Sequence, residues 1–139
     1  MNILSANEED AEKIYSLLKK EKRTAYTKNL VMDLIESRAS LALKAVEENN
    51  KVVGALGARA EGKNSAWLYF IVVDKEYRNE GIARSLNSEL ERRCRTKKIK
   101  RIALDTPDKS FFSKLGYKQA GKIPKWYGTK DQIIMFKKV

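Results

Sequence analysis

The segment from Arg78 to Arg84 combines two arginines with a glycine and an alanine. An apolar run precedes it and a helical pattern follows it, so it falls at a strand-to-helix turn. The first turn of a helix leaves backbone N–H groups unpaired and carries partial positive charge, which suits a diphosphate. Gly81 and Ala83 would let phosphates approach the main chain, and the arginines could add charge-assisted hydrogen bonds. The pattern also fits an ordinary turn in which glycine relieves crowding and the arginines are solvated.

A buried strand and a long helix must position this turn. The strand is predicted over Trp67–Val73, which is aromatic and β-branched without alternation, as in strands covered on both faces. Apolar residues then recur every three or four positions and predict a helix over Ile82–Thr96, followed by a strand over Ile99–Leu104. A strand–helix–strand unit in this order usually pairs its strands in parallel.

The rest of the chain supplies further strands and helices around this unit. Asn7 is predicted to cap a first helix, because acidic residues follow it in the first turn. The other predicted elements are a strand at Asn2–Leu4, a helix at Lys28–Ser37, a hairpin of Leu41–Glu47 with Lys51–Ala58, a short helix at Phe111–Leu115, and strands at Tyr117–Lys122 and Gln132–Phe136. The predicted class is α/β, a single domain over residues 1–139 with a mixed central β-sheet flanked by helices.

Composition excludes several classes of protein. The longest apolar run, Ala66–Val73, is far shorter than the roughly 20 residues of a membrane-spanning helix. The single cysteine, Cys94, excludes an internal disulfide, and without histidine we expect no zinc or other metal site. The N-terminus turns acidic without the layout of a signal peptide, so we expect a cytoplasmic protein that does not associate with membranes. Monomer and homodimer are both left open.

Basic residues outnumber acidic ones, 29 against 18, which gives a net charge of +11. The densest basic run, Arg92–Arg101, falls at the end of the predicted long helix, where the helix dipole favours cations. A solvated helix end is the simpler interpretation, and a nucleic-acid contact is the alternative. A basic surface also suits a polyphosphate cofactor.

Two motifs in this order resemble those of the GNAT superfamily of N-acetyltransferases. The first is a hydrophobic strand ending in Val73 and followed by R-x-x-G-x-A-x-x-L over Arg78–Leu86. The second is F-F-x-x-x-G-Y over Phe111–Tyr117. The resemblance covers nearly the whole chain and implies the element order β-α-α-β-β-β-α-β-α-β-β. It also implies one acetyltransferase domain, which moves an acetyl group from acetyl-CoA, its co-substrate, to a primary amine by direct attack.

The resemblance implies which residues bind the cofactor. A strand should hold the pantetheine arm through its main chain, and the turn should hold the pyrophosphate. The implied residues are Ile71, Val72 and Val73 on the strand, with Arg78, Asn79, Glu80, Gly81, Ile82, Ala83 and Arg84 in the turn. In that family the central parallel strands splay, here past Val73 and Asp105, and the thioester lies in the gap. The amide that follows Ile71 is the implied donor to the oxyanion.

The catalytic residues are less well marked, because the chain departs from the family pattern. Phe112 stands where the family often has a tyrosine that protonates the departing thiolate. Tyr127, on the loop before the last strand, is the candidate replacement, although it could instead pack beside Trp126. Asp105, at the end of its strand, is the candidate base, although it could equally start a turn or cap the next helix. A sensor that binds acyl-CoA without catalysis is a further alternative.

Overall fold

The computed structural model describes residues 1–139 apart from the side chain of Tyr127. In the described residues, seven strands and four α-helices follow one another in the predicted order. Their bounds are β1 Asn2–Ser5, α1 Ala11–Lys20, α2 Lys28–Glu36, β2 Leu43–Val46, β3 Val52–Glu61, β4 Ser65–Val73, α3 Ile82–Thr96, β5 Arg101–Thr106, α4 Lys109–Lys114, β6 Lys118–Tyr127 and β7 Lys130–Lys138. Asn7 caps the start of the first helical segment, as predicted, by accepting the Glu9 N–H (3.0 Å).

The strands form one sheet in the order β1-β2-β3-β4-β5-β7-β6. Neighbouring strands of the described chain are antiparallel except for β4 and β5, which the crossover through α3 makes parallel. The predicted class, α/β with a mixed central sheet flanked by helices, is therefore confirmed.

Helices cover both faces of this sheet. α3 and α4 pack on one face, where Leu86, Leu90 and Cys94 of α3 are fully buried. α1 and α2 pack on the other face, against Phe70 and Val72 of β4. Cys94 is thus a core residue, as predicted, and burial raises the pKa of its thiol to about 11. Among the described residues, none of the helices has both the length and the apolar character that a membrane span requires.

A β-bulge interrupts β4 at Tyr69. Two consecutive residues of β3 pair with Leu68 and Phe70, so Tyr69 is the extra residue between them. Beyond the bulge, Phe70 packs toward α1 and α2, whereas Ile71 packs toward α3. The C-terminal half of β4 is therefore covered on both faces, as its sequence predicts.

Some boundaries differ from the prediction. β5 begins at Arg101 and not at Ile99, because the Ile99 N–H returns to the Cys94 carbonyl (2.8 Å) and closes the end of α3. β6 extends through Tyr127, whose main chain pairs with Lys130 across the β6–β7 hairpin. The prediction that Tyr127 lies on the loop before the last strand is therefore wrong.

The parallel pair of β4 and β5 separates early. Its register covers Ser65–Trp67 against Arg101–Ala103 and ends there. β4 continues through Leu68–Val73 beside β3, and β5 continues through Leu104–Thr106 beside β7. A gap with two ordered walls thus opens inside the sheet, well before the predicted separation past Val73 and Asp105.

Candidate active site

A cavity of about 980 Å³ lies where β4 and β5 have separated. The α1–α2 loop, the end of β4, the first turn of α3, the end of β5 and α4 line it. All of the predicted cofactor-binding residues except Glu80 line this cavity, and so does Asp105. The side chain of Tyr127 lies outside the described residues, so its predicted catalytic role stays a prediction.

The turn between β4 and α3 is held at its start by a buried carboxylate. Asp74 accepts hydrogen bonds from Lys20 Nζ (2.9 Å) and from the Glu76 N–H (3.1 Å), and these hydrogen bonds lower the pKa of Asp74. Asn79 and Gly81 then take left-handed φ angles of 67° and 78°. Successive backbone N–H groups in such a turn form a concavity that binds anions.

Gly81 leaves the N-terminus of α3 open. As the N-cap residue it supplies no side-chain hydrogen bond to the first-turn amides, and no described side chain caps them in its place. A Cβ on Gly81 would meet no atom within 4 Å, so the space beyond the helix end is open as well. The glycine fits because other residues are strained at this φ. This corner therefore offers unpaired N–H groups and positive helix-dipole charge to a phosphate.

A second glycine lets α3 sit close to the sheet. A Cβ on Gly54 of β3 would lie 3.0 Å from Ile82 Cγ2 and 3.3 Å from the Val72 carbonyl oxygen. Gly54 thus has a packing role beneath the first turn of α3. Because Gly54 has no side chain, the unpaired amides in the first turn of α3 can lie close to the end of β4.

The two arginines of the turn have different partners. Arg78 forms an ion pair with Glu21 of the α1–α2 loop, and Arg84 donates to the Lys114 carbonyl oxygen of α4 (3.3 Å). Both arginines are exposed and line the cavity together with Lys114, so this end of the cavity is cationic. Only Nη2 of Arg78 bonds to Glu21, and the guanidinium has further N–H donors with which to bind a diphosphate.

The α1–α2 loop also reaches the edge of β4 that faces the gap. Arg23 Nη2 donates to the Ile71 carbonyl oxygen (2.8 Å), and the Tyr26 hydroxyl donates to the Tyr69 carbonyl oxygen. Both carbonyls therefore point away from β3 and toward the gap. An extended ligand arm that pairs with β4 there must displace or share these contacts.

Alternation along β4 decides which amides can reach a ligand. The Asp74 N–H donates to the Val53 carbonyl oxygen of β3 (2.9 Å), and residues two apart on a strand point the same way. The Val72 N–H therefore belongs to the β3 ladder, where Val72 pairs with Ala55. The implied oxyanion donor, the amide that follows Ile71, is thus engaged within the sheet. The amide of Ile71 itself faces the gap.

Asp105 lies on β5 beside Gln132 of β7. Gln132 Nε2 donates to Asp105 Oδ2 (2.7 Å), and both residues line the cavity. The alternative role considered for Asp105, capping the next helix, belongs instead to Asp108, which accepts the Ser110 N–H (3.2 Å) at the start of α4. Asp105 is exposed and therefore accessible to a ligand as a proton acceptor.

Phe112 contributes an apolar wall to the cavity. Its ring is buried and packs edge-on against Phe111 (4.9 Å between centroids) and Tyr117 (5.8 Å). Tyr117 does not supply the missing acid, because its hydroxyl donates to the buried Asn87 Oδ1 (2.8 Å) and burial raises the pKa of that hydroxyl. Proton donation to a leaving group therefore comes from another group or is unnecessary.

The basic run Arg92–Arg101 lies at the opposite end of α3, about 20 Å from Gly81 at 1.5 Å per residue. Arg92 and Arg93 both bond to Glu89 (2.7 and 2.8 Å), and these hydrogen bonds lower the pKa of Glu89 to about 2. No residue of the run lines the described cavity. The run is therefore separate from the candidate site, and its contact with nucleic acid stays an untested alternative.

Arg23, Tyr26 and Gln132 are among the polar residues of this cavity that sequence reasoning missed. Arg23 and Tyr26 lie on a short loop, and no sequence pattern marks them. Gln132 does carry a sequence signal. It lies two residues before Ile134 on a predicted strand and therefore on the same face, at a position where an apolar residue is the norm. A polar side chain at such a position needs a partner or a ligand.

Comparison with known proteins gives both a family and a fold. The profile of the Acetyltransferase (GNAT) family matches residues 8–117. Sequence comparison with curated proteins gives no match. Among solved structures, Ard1 from Thermoplasma volcanium is similar at 20% identity with a TM-score of 0.88, covering 99% of this chain and 97% of that chain.

Two further structures have the same fold. An aminoglycoside 6'-N-acetyltransferase complexed with coenzyme A is 23% identical with a TM-score of 0.87, over 99% of this chain and 97% of that chain. The ribosomal-protein-S18-alanine N-acetyltransferase from Escherichia coli is 20% identical with a TM-score of 0.86, over 99% of this chain and 93% of that chain.

Proposed function

Because the chain belongs to the GNAT acetyltransferase family, we propose that it transfers the acetyl group of acetyl-CoA to a primary amine by direct attack in a ternary complex. Membership of this family confirms the predicted enzyme class, an acyltransferase, and the predicted co-substrate. The observation that carries the proposal is the open N-terminus of α3 at the mouth of the gap between β4 and β5. We further propose that residues 1–139 form one acetyltransferase domain.

The cavity has two ends of different character. At one end, the amides of the β4–α3 turn, with Arg78 and Arg84, hold the diphosphate of the cofactor. From there the pantetheine arm follows the edge of β4, where the Ile71 carbonyl and amide face the gap. The thioester then lies between β4 and β5, within reach of the wall that carries Asp105. A cationic end for the polyanion and a carboxylate for the amine fit the two substrates of this reaction.

The chemistry divides between positioning and proton transfer. The amine must be uncharged to attack, and Asp105 accepts its proton directly or through water. Holding amine and thioester together in the gap supplies much of the rate, because a bimolecular step becomes effectively unimolecular. The thiolate is a tolerable leaving group, so a dedicated acid is not essential, and Tyr127 remains the candidate where one acts.

The test follows thiol release from acetyl-CoA in the presence of a panel of amines. The structural neighbours suggest a peptide with N-terminal alanine and an aminoglycoside with a 6'-amino group. Spermidine and n-propylamine complete the panel, and the same peptide with a blocked N-terminus is the control. We expect release with at least one free amine, none with the blocked peptide, and a large loss in Asp105→Asn.

The sensor alternative predicts a different combination of results. A sensor would bind acetyl-CoA, seen as a rise in melting temperature by mass action, yet release no thiol with any amine. That combination would refute the proposed function. No rise in melting temperature at millimolar acetyl-CoA would refute enzyme and sensor alike.

A further inference from the structure

Gln132 is a buried polar residue in the wall of the cavity. It lies on β7 with 5% of its surface exposed. Its Nε2 donates to Asp105 Oδ2 (2.7 Å). Its Oε1 is fully buried and has no hydrogen-bond partner among the described residues. An orphaned buried acceptor of this kind is rare in folded proteins and calls for a physical explanation.

The orientation of the Gln132 amide follows from the chemistry of its partner. An ionised carboxylate only accepts hydrogen bonds, so the amide must present its NH₂ group to Asp105. The carbonyl oxygen is left on the other side of the same group. Turning the amide over would place two oxygens against each other, so the orphaned acceptor cannot be relieved in that way.

The sheet register brings these two side chains together. Asp105 pairs with Ile134 across β5 and β7, which makes Gln132 its diagonal neighbour on the same face. The pair lies beyond the point where β4 leaves β5, so the wall that β4 would have provided is absent there. Asp105 and Gln132 therefore form a polar pair at the edge of the gap, with the carboxylate exposed and the amide carbonyl oxygen buried.

We propose that Gln132 is a substrate-binding residue: when an amine enters the gap, the Gln132 side chain shifts so that its buried Oε1 becomes accessible and accepts one N–H of the attacking amine, while Asp105 accepts another. This inference rests on the proposed acetylation of amines and adds to it a preference for primary over secondary amines. A neutral primary amine has two N–H groups and one lone pair. When both N–H groups are bound by Asp105 and Gln132, the lone pair points at the thioester. A secondary amine has one N–H group and leaves one of the acceptors unpaired.

The reaction balances with these roles. An ammonium group loses one proton to Asp105 or to water, and the nitrogen lone pair then forms the N–C bond to the thioester carbonyl carbon. The C–S bond breaks and its electron pair leaves on sulfur, and the nitrogen then loses a second proton, which the thiolate takes up directly or through water. Ammonium and acetyl-CoA thus give the N-acetyl product, the free thiol of coenzyme A and one proton. Gln132 exchanges no proton and acts by orientation alone.

The test compares Gln132→Met with the wild type. Methionine has nearly the volume of glutamine and removes the acceptor, and Gln119→Met, at an exposed position of β6 that does not line the cavity, is the matched control. The probes are the alanyl peptide and n-propylamine of the panel above, each paired with its N-methyl analogue. The readouts are kcat/KM for each amine and the Kd of acetyl-CoA.

We expect the wild type to prefer each primary amine over its N-methyl analogue. Gln132→Met should lower kcat/KM for the primary amine about 3- to 10-fold, the effect of one hydrogen bond, and shrink the preference by the same factor. The Kd of acetyl-CoA and the control variant should be unchanged. Gln132→Leu should show the same loss of preference for primary amines over their N-methyl analogues. Agreement between two side chains of different shape separates the loss of the hydrogen bond from a local packing defect.

Two results would overturn the inference alone. Equal losses for primary and N-methyl amines would mean that Gln132 only orients Asp105, and unchanged kinetics would mean that it has no role in the reaction. Acetyl-CoA binding without thiol release from any amine, in the wild type, would instead refute the proposed function and the role of Gln132 with it.

Discussion

Replacing Gly81 with glutamate should abolish tight binding of acetyl-CoA. Gly81 is exposed and has a φ of 78°. A Cβ added to it would meet no atom within 4 Å. The new side chain therefore enters without a clash, and its cost to the fold is the strain of a left-handed residue, about 1–2 kcal/mol. Its carboxylate then stands where the diphosphate docks.

The size of the effect on binding follows from Coulomb's law. Two unit charges about 6 Å apart, at an effective dielectric constant of about 20, repel each other by about 3 kcal/mol. A change of that size weakens Kd by roughly 100-fold. Gly81→Gln carries the same strain and nearly the same shape without the charge, so the ratio of the two Kd values isolates the electrostatic part.

Isothermal titration of acetyl-CoA into both variants measures this ratio directly. It should shrink as salt is raised from about 0.05 to 0.5 M, because screening shortens the reach of the charge. Equal Kd values for the glutamate and glutamine variants would show that the diphosphate does not dock at the start of α3. The assignment of the cofactor corner would then be wrong, even if the protein still acetylated amines.

Other substitutions test the packing and the ion pairs described above. Gly57→Ala should lower the free energy of unfolding in urea by about 1–3 kcal/mol, since its methyl would lie 2.4 Å from a ring carbon of Phe70; unchanged stability would contradict the close packing. Glu89→Gln should cost about 0.5–1 kcal/mol at pH 7. Two arginines depress the pKa of Glu89 from 4.5 to about 2, so its stabilisation is complete above pH 4.5 and is lost as the pH falls toward 2. Melting curves of this variant and the wild type should therefore converge near pH 2, and a constant difference would refute the ion pairing. Tyr117→Phe should cost about 1–3 kcal/mol in urea by orphaning the buried Asn87 Oδ1, and a neutral result would mean that water replaces the hydroxyl.

The strand–turn–helix unit could be predicted because its signals are local. The apolar run ending at Val73, the glycine at residue 81 and the helical spacing after Ile82 each depend on neighbours a few residues away. The structure places all three where the sequence predicts them. The cap at Asn7 is a local signal of the same kind.

Features that depend on pairing between distant strands escaped prediction. The bulge at Tyr69 and the early separation of β4 from β5 are properties of the register, which periodicity in one strand does not contain. The contact of Gln132 with Asp105 likewise needs the register of β5 against β7. The hydrogen bond from Arg23 to β4 joins residues 48 positions apart, and nothing in the loop sequence marks it.

The short parallel register has a mechanical consequence. Within the described chain, three residue pairs form the seam between a half-sheet of β1–β4 and a half-sheet of β5, β7 and β6. Bending along such a seam breaks few ladder bonds, so we expect the empty protein to hinge there. A ligand arm that binds between the two half-sheets restricts this bending. Acetyl-CoA should therefore slow hydrogen exchange at the Ile71 amide as well as raise the melting temperature.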